Sequence, residues 1–136
     1  MNNLTGYQEI EHTADWALHV WAPDLPALLA EAARGMYALS QTLLTPDFRV
    51  SREFELAYQD DESLLVDFLS ELLFFGEDEN LAFDGFQIEL TATTCKFSVV
   101  GASIQKQSKE IKAVTFHDLA VQETENGLEV TIIFDV

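Results

Sequence analysis

Two residues that could do chemistry, His12 and Asp15, stand three positions apart in the stretch IEHTADWALHV. Alternating apolar runs lie on each side of them, which predicts two short strands, 7–12 and 15–22, joined by a tight hairpin connection. An imidazole can act as a general acid, a general base or a metal ligand. A carboxylate supplies the oxygen ligands that hard cations need. A histidine bonded to the local backbone and an aspartate that serves the turn are the structural alternatives at these two positions.

The last residues of the sequence carry a second carboxylate. Asp135 follows the apolar run VTIIF, and Val136 comes last, with an expected free α-carboxylate. If the strand ends meet at the rim of a sheet, Asp15, Asp135 and Val136 would bring several oxygen atoms together there. Carboxylates, carbonyls and water are the ligands that Ca²⁺ and Mg²⁺ take. Spacing alone indicates this metal site only weakly, because an aspartate at a strand end usually serves a turn or solubility.

The other reactive side chains give weaker indications. Lys112 and His117 fall on opposite faces of one predicted strand, so a single site would not contain both without a bulge. His19 and Cys95 alternate with apolar neighbours and are interpreted as structural. The sequence contains no nucleotide-binding glycine loop, no zinc-type Cys/His cluster and no GxSxG nucleophile elbow. These observations offer little support for an ordinary hydrolase.

Charge is the strongest compositional signal. The 136 residues include 24 acidic and seven basic side chains, which gives a formal net charge of −17. Nucleic-acid binding depends on basic groups that neutralise phosphates, so tight, direct RNA or DNA binding is not expected. An acidic surface suits a basic protein partner or a cation, although it can also serve solubility alone. Four of the seven basic residues nevertheless fall in one region: Lys96, Lys106, Lys109 and Lys112.

Two helices and several strands must position these residues. One amphipathic helix is predicted after Asp24, the expected N-cap, with Pro26 in its first turn. A second helix is predicted after the pair Asp60–Asp61 and is expected to end at Gly76. A hairpin turn is predicted at Glu125-Asn126-Gly127, because Asn-Gly readily supplies the positive φ angles that such turns need. Further strands are predicted at 50–57, 81–90, 93–103, 113–123 and 128–136.

The two predicted helices each have one apolar face, which must be buried. We therefore expect an α+β fold, a two-layer domain with two amphipathic helices packed on one face of an antiparallel or mixed β-sheet. A length of 136 residues fits one domain over 1–136. No apolar run reaches the roughly 18 residues of a membrane span. The N-terminal MNNLTGYQEI lacks the features of a secretory signal, and a single cysteine suits a reducing cytoplasm, so a cytoplasmic location is expected.

Five segments together resemble the archease family, in the order in which that family has them. They are HTAD at 12–15, AARGMYAL at 32–39, ESLLVDFLSELLF at 62–74, IKAVTFHDL at 111–119 and FDV at 134–136. The likeness covers almost the whole chain. It departs from the family at Trp16-Ala17, where Ile-Gly is more usual, and in the loop from Ser40 to Arg52.

The resemblance implies an α+β fold and a helper protein with no settled catalytic reaction of its own. Such a protein assists the RtcB-type, GTP-dependent RNA ligase in tRNA splicing or RNA repair. It promotes guanylylation of the ligase's active-site histidine and supports multiple turnover. The resemblance also implies a divalent cation, commonly assigned as calcium, whose ligands would be Asp15, Asp135 and Val136. His12 would neighbour the metal, and Lys112 would lie in a segment that matters for activation.

Two other classes of function stay open. A stand-alone metal-dependent enzyme, acting on nucleotides or phosphate esters, would turn over a small substrate with no partner present. A general chaperone-like modulator would suppress the aggregation of unrelated proteins. A dedicated activator would instead need its cognate ligase.

Overall fold

The computed structural model describes residues 4–10, 16–46 and 48–136, which form two helices and nine strands. The helices are α1 Leu25–Leu39 and α2 Asp61–Glu79. The strands are β1 Gly6–Ile10, β2 Trp16–Ala22, β3 Leu43–Leu44, β4 Val50–Ala57, β5 Leu81–Leu90, β6 Thr94–Lys106, β7 Ala113–Val114, β8 Gln122–Thr124 and β9 Gly127–Asp135.

The strands form two sheets, and every pairing among the described residues is antiparallel. One sheet has the order β1-β2-β9-β7, with β8 also paired to β9. The other is built around β6, which pairs with β3, β4 and β5. The helix α1 contacts β1, β2 and β9 of the first sheet and β5 of the second, and α2 contacts β7, β4 and β5. The α+β class is thus confirmed, but the helices pack on two sheets, where the sequence predicted one.

Both helices begin where an aspartate caps them. The Asp24 side chain accepts a 2.9 Å hydrogen bond from the N–H of Ala27, and Pro26 occupies the first turn, where no helical N–H bond is lost. The Asp60 side chain accepts a 2.7 Å hydrogen bond from the N–H of Ser63. Each cap satisfies one of the otherwise unpaired N–H groups of the first turn. The sequence predicted the start of α1 and its cap correctly, whereas α2 begins one residue earlier than predicted, at Asp61.

The predicted end of α2 at Gly76 is wrong. The helix continues for three more residues to Glu79 and ends at Asn80, whose backbone is left-handed with φ 57° and ψ 40°. Asparagine adopts this conformation more readily than most residues, so it serves as a C-cap in place of glycine. The Asn80 N–H donates to the carbonyl of Gly76 at 3.1 Å.

The buried apolar side chains form one cluster that joins both helices to both sheets. A stack of three phenylalanines lies in it: the ring centroid of Phe97 is 4.5 Å from that of Phe68 and 4.9 Å from that of Phe54. Cys95, two residues before Phe97, is fully buried. Its burial raises the pKa of the thiol to about 11. A buried, protonated thiol is a poor nucleophile, which confirms the structural interpretation of Cys95.

The predicted strand 113–123 is interrupted. Only its ends are strands, β7 and β8, and residues 115–121 between them form a loop. Asp118 there has a left-handed backbone with φ 51°, and the N–H of Leu119 donates to the carbonyl of Phe116 at 3.1 Å, which closes a turn. Lys112 and His117 therefore do not lie on opposite faces of one strand, because Lys112 precedes β7 and His117 lies in the loop.

The hairpin near the end of the chain is confirmed. Thr124 of β8 pairs with Gly127 of β9 across a two-residue connection. Gly127 has φ 137°, a conformation that side-chain-bearing residues rarely adopt. None of the helices in the described residues has the length and apolar character needed to cross a membrane.

Candidate functional site

Asp135 ends β9 at a corner of the five-stranded sheet where three parts of the chain meet. On one side, Trp16 of β2 pairs with Phe134, the residue before Asp135. On the other side, Ala113 of β7 pairs with Asp135, and the N–H of Lys112 donates to the Asp135 carbonyl at 2.8 Å. We call this corner, formed by Trp16, Lys112, Ala113, Asp135 and Val136, the C-terminal rim.

The predicted metal ligands are only partly placed by the structure. His12 and Asp15 lie outside the described residues, and the description resumes at Trp16, the residue after Asp15. Asp135 has an exposed side chain, and Val136 is half-buried. Among the described residues, no basic side chain forms an ion pair with Asp135, and no group of three or more His, Cys, Asp or Glu side chains is arranged to hold a metal. The proposed ligand set thus stays a prediction.

Lys112 is fixed at the rim through its main chain, and its side chain is exposed. It also borders a cleft of about 620 Å³ between the C-terminal ends of α1 and α2. Lys106, Glu77 and Glu110 line the same cleft, so with Lys112 its charged side chains are two basic and two acidic. Tyr37 reaches the cleft from α1, and burial raises the pKa of its hydroxyl, which stays neutral near pH 7.

Residues 107–112, which include Lys109 and Lys112 of the basic cluster, cross from β6 of one sheet to β7 of the other. After β6 ends, the N–H groups of Ser108 and Lys109 donate to the carbonyl of Ser40 at the end of α1, at 3.0 and 3.3 Å. The Lys109 ammonium then lies 4.7 Å from the ring centroid of Trp16. A cation over an indole face is attracted by the ring's negative face. The lysine cluster was visible in the sequence, but its aromatic partner was not.

The other two histidines each lie near an acidic side chain. His19 is in the middle of β2, where its Nε2 is 3.6 Å from a Glu129 carboxylate oxygen and its ring centroid 5.3 Å from that of Trp21. These contacts fit the structural interpretation of His19. His117 is exposed and lies 3.2 Å from the carboxylate of Asp118, its neighbour in the loop.

Residues 7–136 match the model of the Archease protein family. The chain belongs to this family. Protein archease of Methanosarcina acetivorans is 30% identical over 139 residues, which cover 96% of this chain and 95% of the relative. Protein archease of Methanopyrus kandleri is 33% identical over 129 residues, or 89% of this chain and 91% of the relative.

Two solved structures share the fold. A protein of Methanobacterium thermoautotrophicum, solved in solution, has a TM-score of 0.73 at 24% identity and covers 96% of this chain and 99% of its own. A crystal structure of an archease from Thermotoga maritima, described as a possible chaperone, has a TM-score of 0.70 at 23% identity and covers 95% and 96%. These likenesses establish the α+β fold of the archease family for this chain.

The segments that resemble archeases have distinct places in the fold. Residues 32–39 and 62–74 belong to α1 and α2 and contribute to the core. Residues 111–119 and 134–136, far apart in sequence, meet at the C-terminal rim through the pairing of β7 with β9. The segment 12–15 lies outside the described residues and directly precedes Trp16.

Proposed function

We propose that this chain is an activator protein of an RtcB-type, GTP-dependent RNA ligase, acting in tRNA splicing or RNA repair. The observation that carries the proposal is the meeting of two archease-like segments, 111–119 and 134–136, at one exposed corner. The description of the Thermotoga maritima relative as a possible chaperone agrees with a protein that works on another protein. In this proposal the ligase performs the chemistry, and this chain contributes no catalytic residue.

The proposal includes a divalent cation, calcium in the first instance, held by Asp15, Asp135 and Val136. The donors fit such an ion, because carboxylate and main-chain oxygens are what calcium takes. The exposed Asp135 carboxylate has no ion-pair partner among the described residues that would compete for it. Val136 would contribute a main-chain or terminal oxygen. Calcium, when bound, would offset the mutual repulsion of these oxygens.

Charge explains how such a rim would reach a ligase. An enzyme that binds RNA and GTP presents a positively charged surface, whereas this chain carries a formal net charge of −17. Opposite fields accelerate encounter and orient the partners. Lys112 and His12 would then contact the ligase beside the C-terminal rim. The rim would help to arrange metal and GTP for guanylylation of the ligase histidine.

RNA ligation at limiting ligase, with GTP and divalent metal, tests this function. The unchanged chain is compared with Asp15→Ala and Asp135→Ala, and with Asp67→Ala, an exposed aspartate on α2, as the control. We expect stimulated turnover from the unchanged chain and the control, and its loss in both rim variants. Full stimulation by both variants would show that the carboxylates of Asp15 and Asp135 are not needed for stimulation.

Absence of stimulation, with a cognate ligase shown to be active, would overturn the ligase role itself. Suppression of aggregation of an unrelated protein would then support the chaperone-like function. Turnover of a phosphate ester by the chain alone would support the metal-dependent enzyme.

A further inference from the structure

The loop 115–121, between β7 and β8, carries an exposed aromatic ring on the same sheet edge as the C-terminal rim. Phe116 is 57% exposed, whereas Val114, two residues earlier, is 8% exposed. The N–H of Thr115 donates to the carbonyl of Ile133 at 3.0 Å, which keeps the start of the loop on β9. Phe116 lies three residues beyond Ala113, the pairing partner of Asp135, in the direction that leads along β9 away from Asp135.

Contacts at several points hold this loop in shape. Leu119 and Val121 are half-buried and pack against the core cluster. The N–H of Val121 donates to the Glu62 carboxylate at the start of α2, at 2.8 Å. Within the loop, the Leu119 N–H donates to the Phe116 carbonyl at 3.1 Å. A partner would therefore meet Phe116 on an ordered loop, with little entropy left to lose on binding.

We propose that Phe116 is an aromatic anchor through which this chain docks on the RNA ligase, an inference that rests on the proposed function. An exposed, ordered aromatic ring is the kind of side chain that dominates binding energy once a partner desolvates it. A ligase seated on Phe116 would also reach the C-terminal rim, since three residues of extended strand span only about 10 Å. Docking through Phe116 would then bring the rim to the ligase's nucleotide site.

Charge favours a basic enzyme over a second copy of this chain as the occupant. Two copies would each bring a net charge of −17 to the interface and repel one another. Asp118, exposed and two residues after Phe116, adds negative charge to the same loop. A phosphate-binding surface, which carries lysine and arginine, is complementary to an aromatic ring on a chain of strongly negative net charge.

Phe74 offers a matched control for Phe116. It is 56% exposed, so its truncation removes a similar exposed ring. It lies on α2, twelve residues after Glu62, the residue that holds the loop. At a rise of about 1.5 Å per residue this separates it from the loop contact by about 18 Å along the helix.

The test is the affinity of the full chain for the purified cognate ligase, measured by titration calorimetry without GTP. We expect Phe116→Ala to weaken binding about tenfold or more, since truncation of an anchor commonly costs at least that much. Phe116→Tyr, which keeps the ring, should bind within about twofold of the unchanged chain, as should Phe74→Ala. Calcium affinity should be the same in all variants, because none replaces a predicted ligand.

The outcomes separate this inference from the function on which it rests. If the unchanged chain binds and stimulates the ligase while Phe116→Ala binds equally well, the anchor is wrong and the activator function stands. If the unchanged chain neither binds nor stimulates an active cognate ligase, both fall. Dimer formation by the chain that Phe116→Ala abolishes would show that a second copy, not the ligase, covers Phe116.

Discussion

The main-chain N–H of Lys112 donates a 2.8 Å hydrogen bond to the main-chain carbonyl of Asp135. The bond continues the pairing of β7 with β9 by one residue and ties the segment before β7 to the end of the chain. Because it uses only main-chain atoms, both side chains can be replaced without removing it. Variants at these two positions therefore report on function with little effect on the fold.

Asp135→Asn should reduce calcium affinity by about tenfold or more, because the affinity of a calcium site falls when one of its ligands loses its negative charge. Calcium at 100 times its dissociation constant should raise the stability of the unchanged chain by about 2.7 kcal/mol. At the same calcium concentration the variant should gain about half of that or less. Titration calorimetry and thermal unfolding with and without calcium measure both effects. Asp67→Asn, on the exposed face of α2, is the control, and equal calcium affinity in both variants would exclude Asp135 as a ligand.

Lys112→Ala should leave thermal stability nearly unchanged and raise the concentration of the chain needed for half-maximal ligase stimulation by about tenfold. The reason is that the exposed ammonium is lost while the main-chain bond to Asp135 remains. Lys112→Arg keeps the charge and should recover part of the loss. Lys106→Ala removes another exposed lysine of the same cleft and should have a smaller effect. Identical effects of the two alanine variants would show that Lys112 acts only through its contribution to the net charge of the chain.

Lys109→Ala should destabilise the chain by about 0.5–1 kcal/mol, the usual contribution of a cation–π pair at an exposed site. The ammonium of Lys109 lies 4.7 Å from the ring centroid of Trp16, the residue that follows Asp15. Lys109→Arg, which also stacks on an indole, should keep most of that stability. Urea unfolding measures the difference, with Lys106→Ala as the control. No change in Lys109→Ala would show that the pair contributes nothing measurable.

The parts of the fold that the sequence predicted are those with local causes. The helix starts follow from Asp24 and Asp60, each of which accepts a hydrogen bond from an N–H three residues later. The interruption at 115–121 has a distant cause, since the N–H of Val121 is satisfied by Glu62. Alternating apolarity cannot distinguish this from a continuous strand, because Leu119 and Val121 are half-buried in either case.

The sequence predicted which residues belong to the candidate site but not how they are arranged in space. Asp135 and Lys112 were both selected from the sequence, but their main-chain bond depends on the pairing of β7 with β9. Trp16 was noted only as a departure from the family, and its contact with Lys109 joins two segments that no local pattern connects. The exposure of Phe116 was not predicted, because the continuous strand expected there gave no sign of it.

Acid should weaken the fold partly through Asp60. Its carboxylate accepts hydrogen bonds from Ser63, which lowers its pKa below the ordinary value of 3.8. A lowered folded pKa contributes stability that is complete above the ordinary value and is lost as the pH falls through the folded one. Asp61 acts in the opposite sense, since burial raises the pKa of its carboxyl.

Asp60→Asn isolates this contribution, because asparagine also caps a helix but does not titrate. We expect the unchanged chain to be more stable than the variant at pH 6, and the difference to shrink between pH 4 and pH 2, as Asp60 becomes protonated. Urea unfolding midpoints across this range measure it, and the comparison cancels the change in overall repulsion that both proteins share on acidification. A stability difference that stays constant from pH 6 to pH 2 would show that the Asp60 carboxylate has the same proton affinity in the folded and unfolded chains.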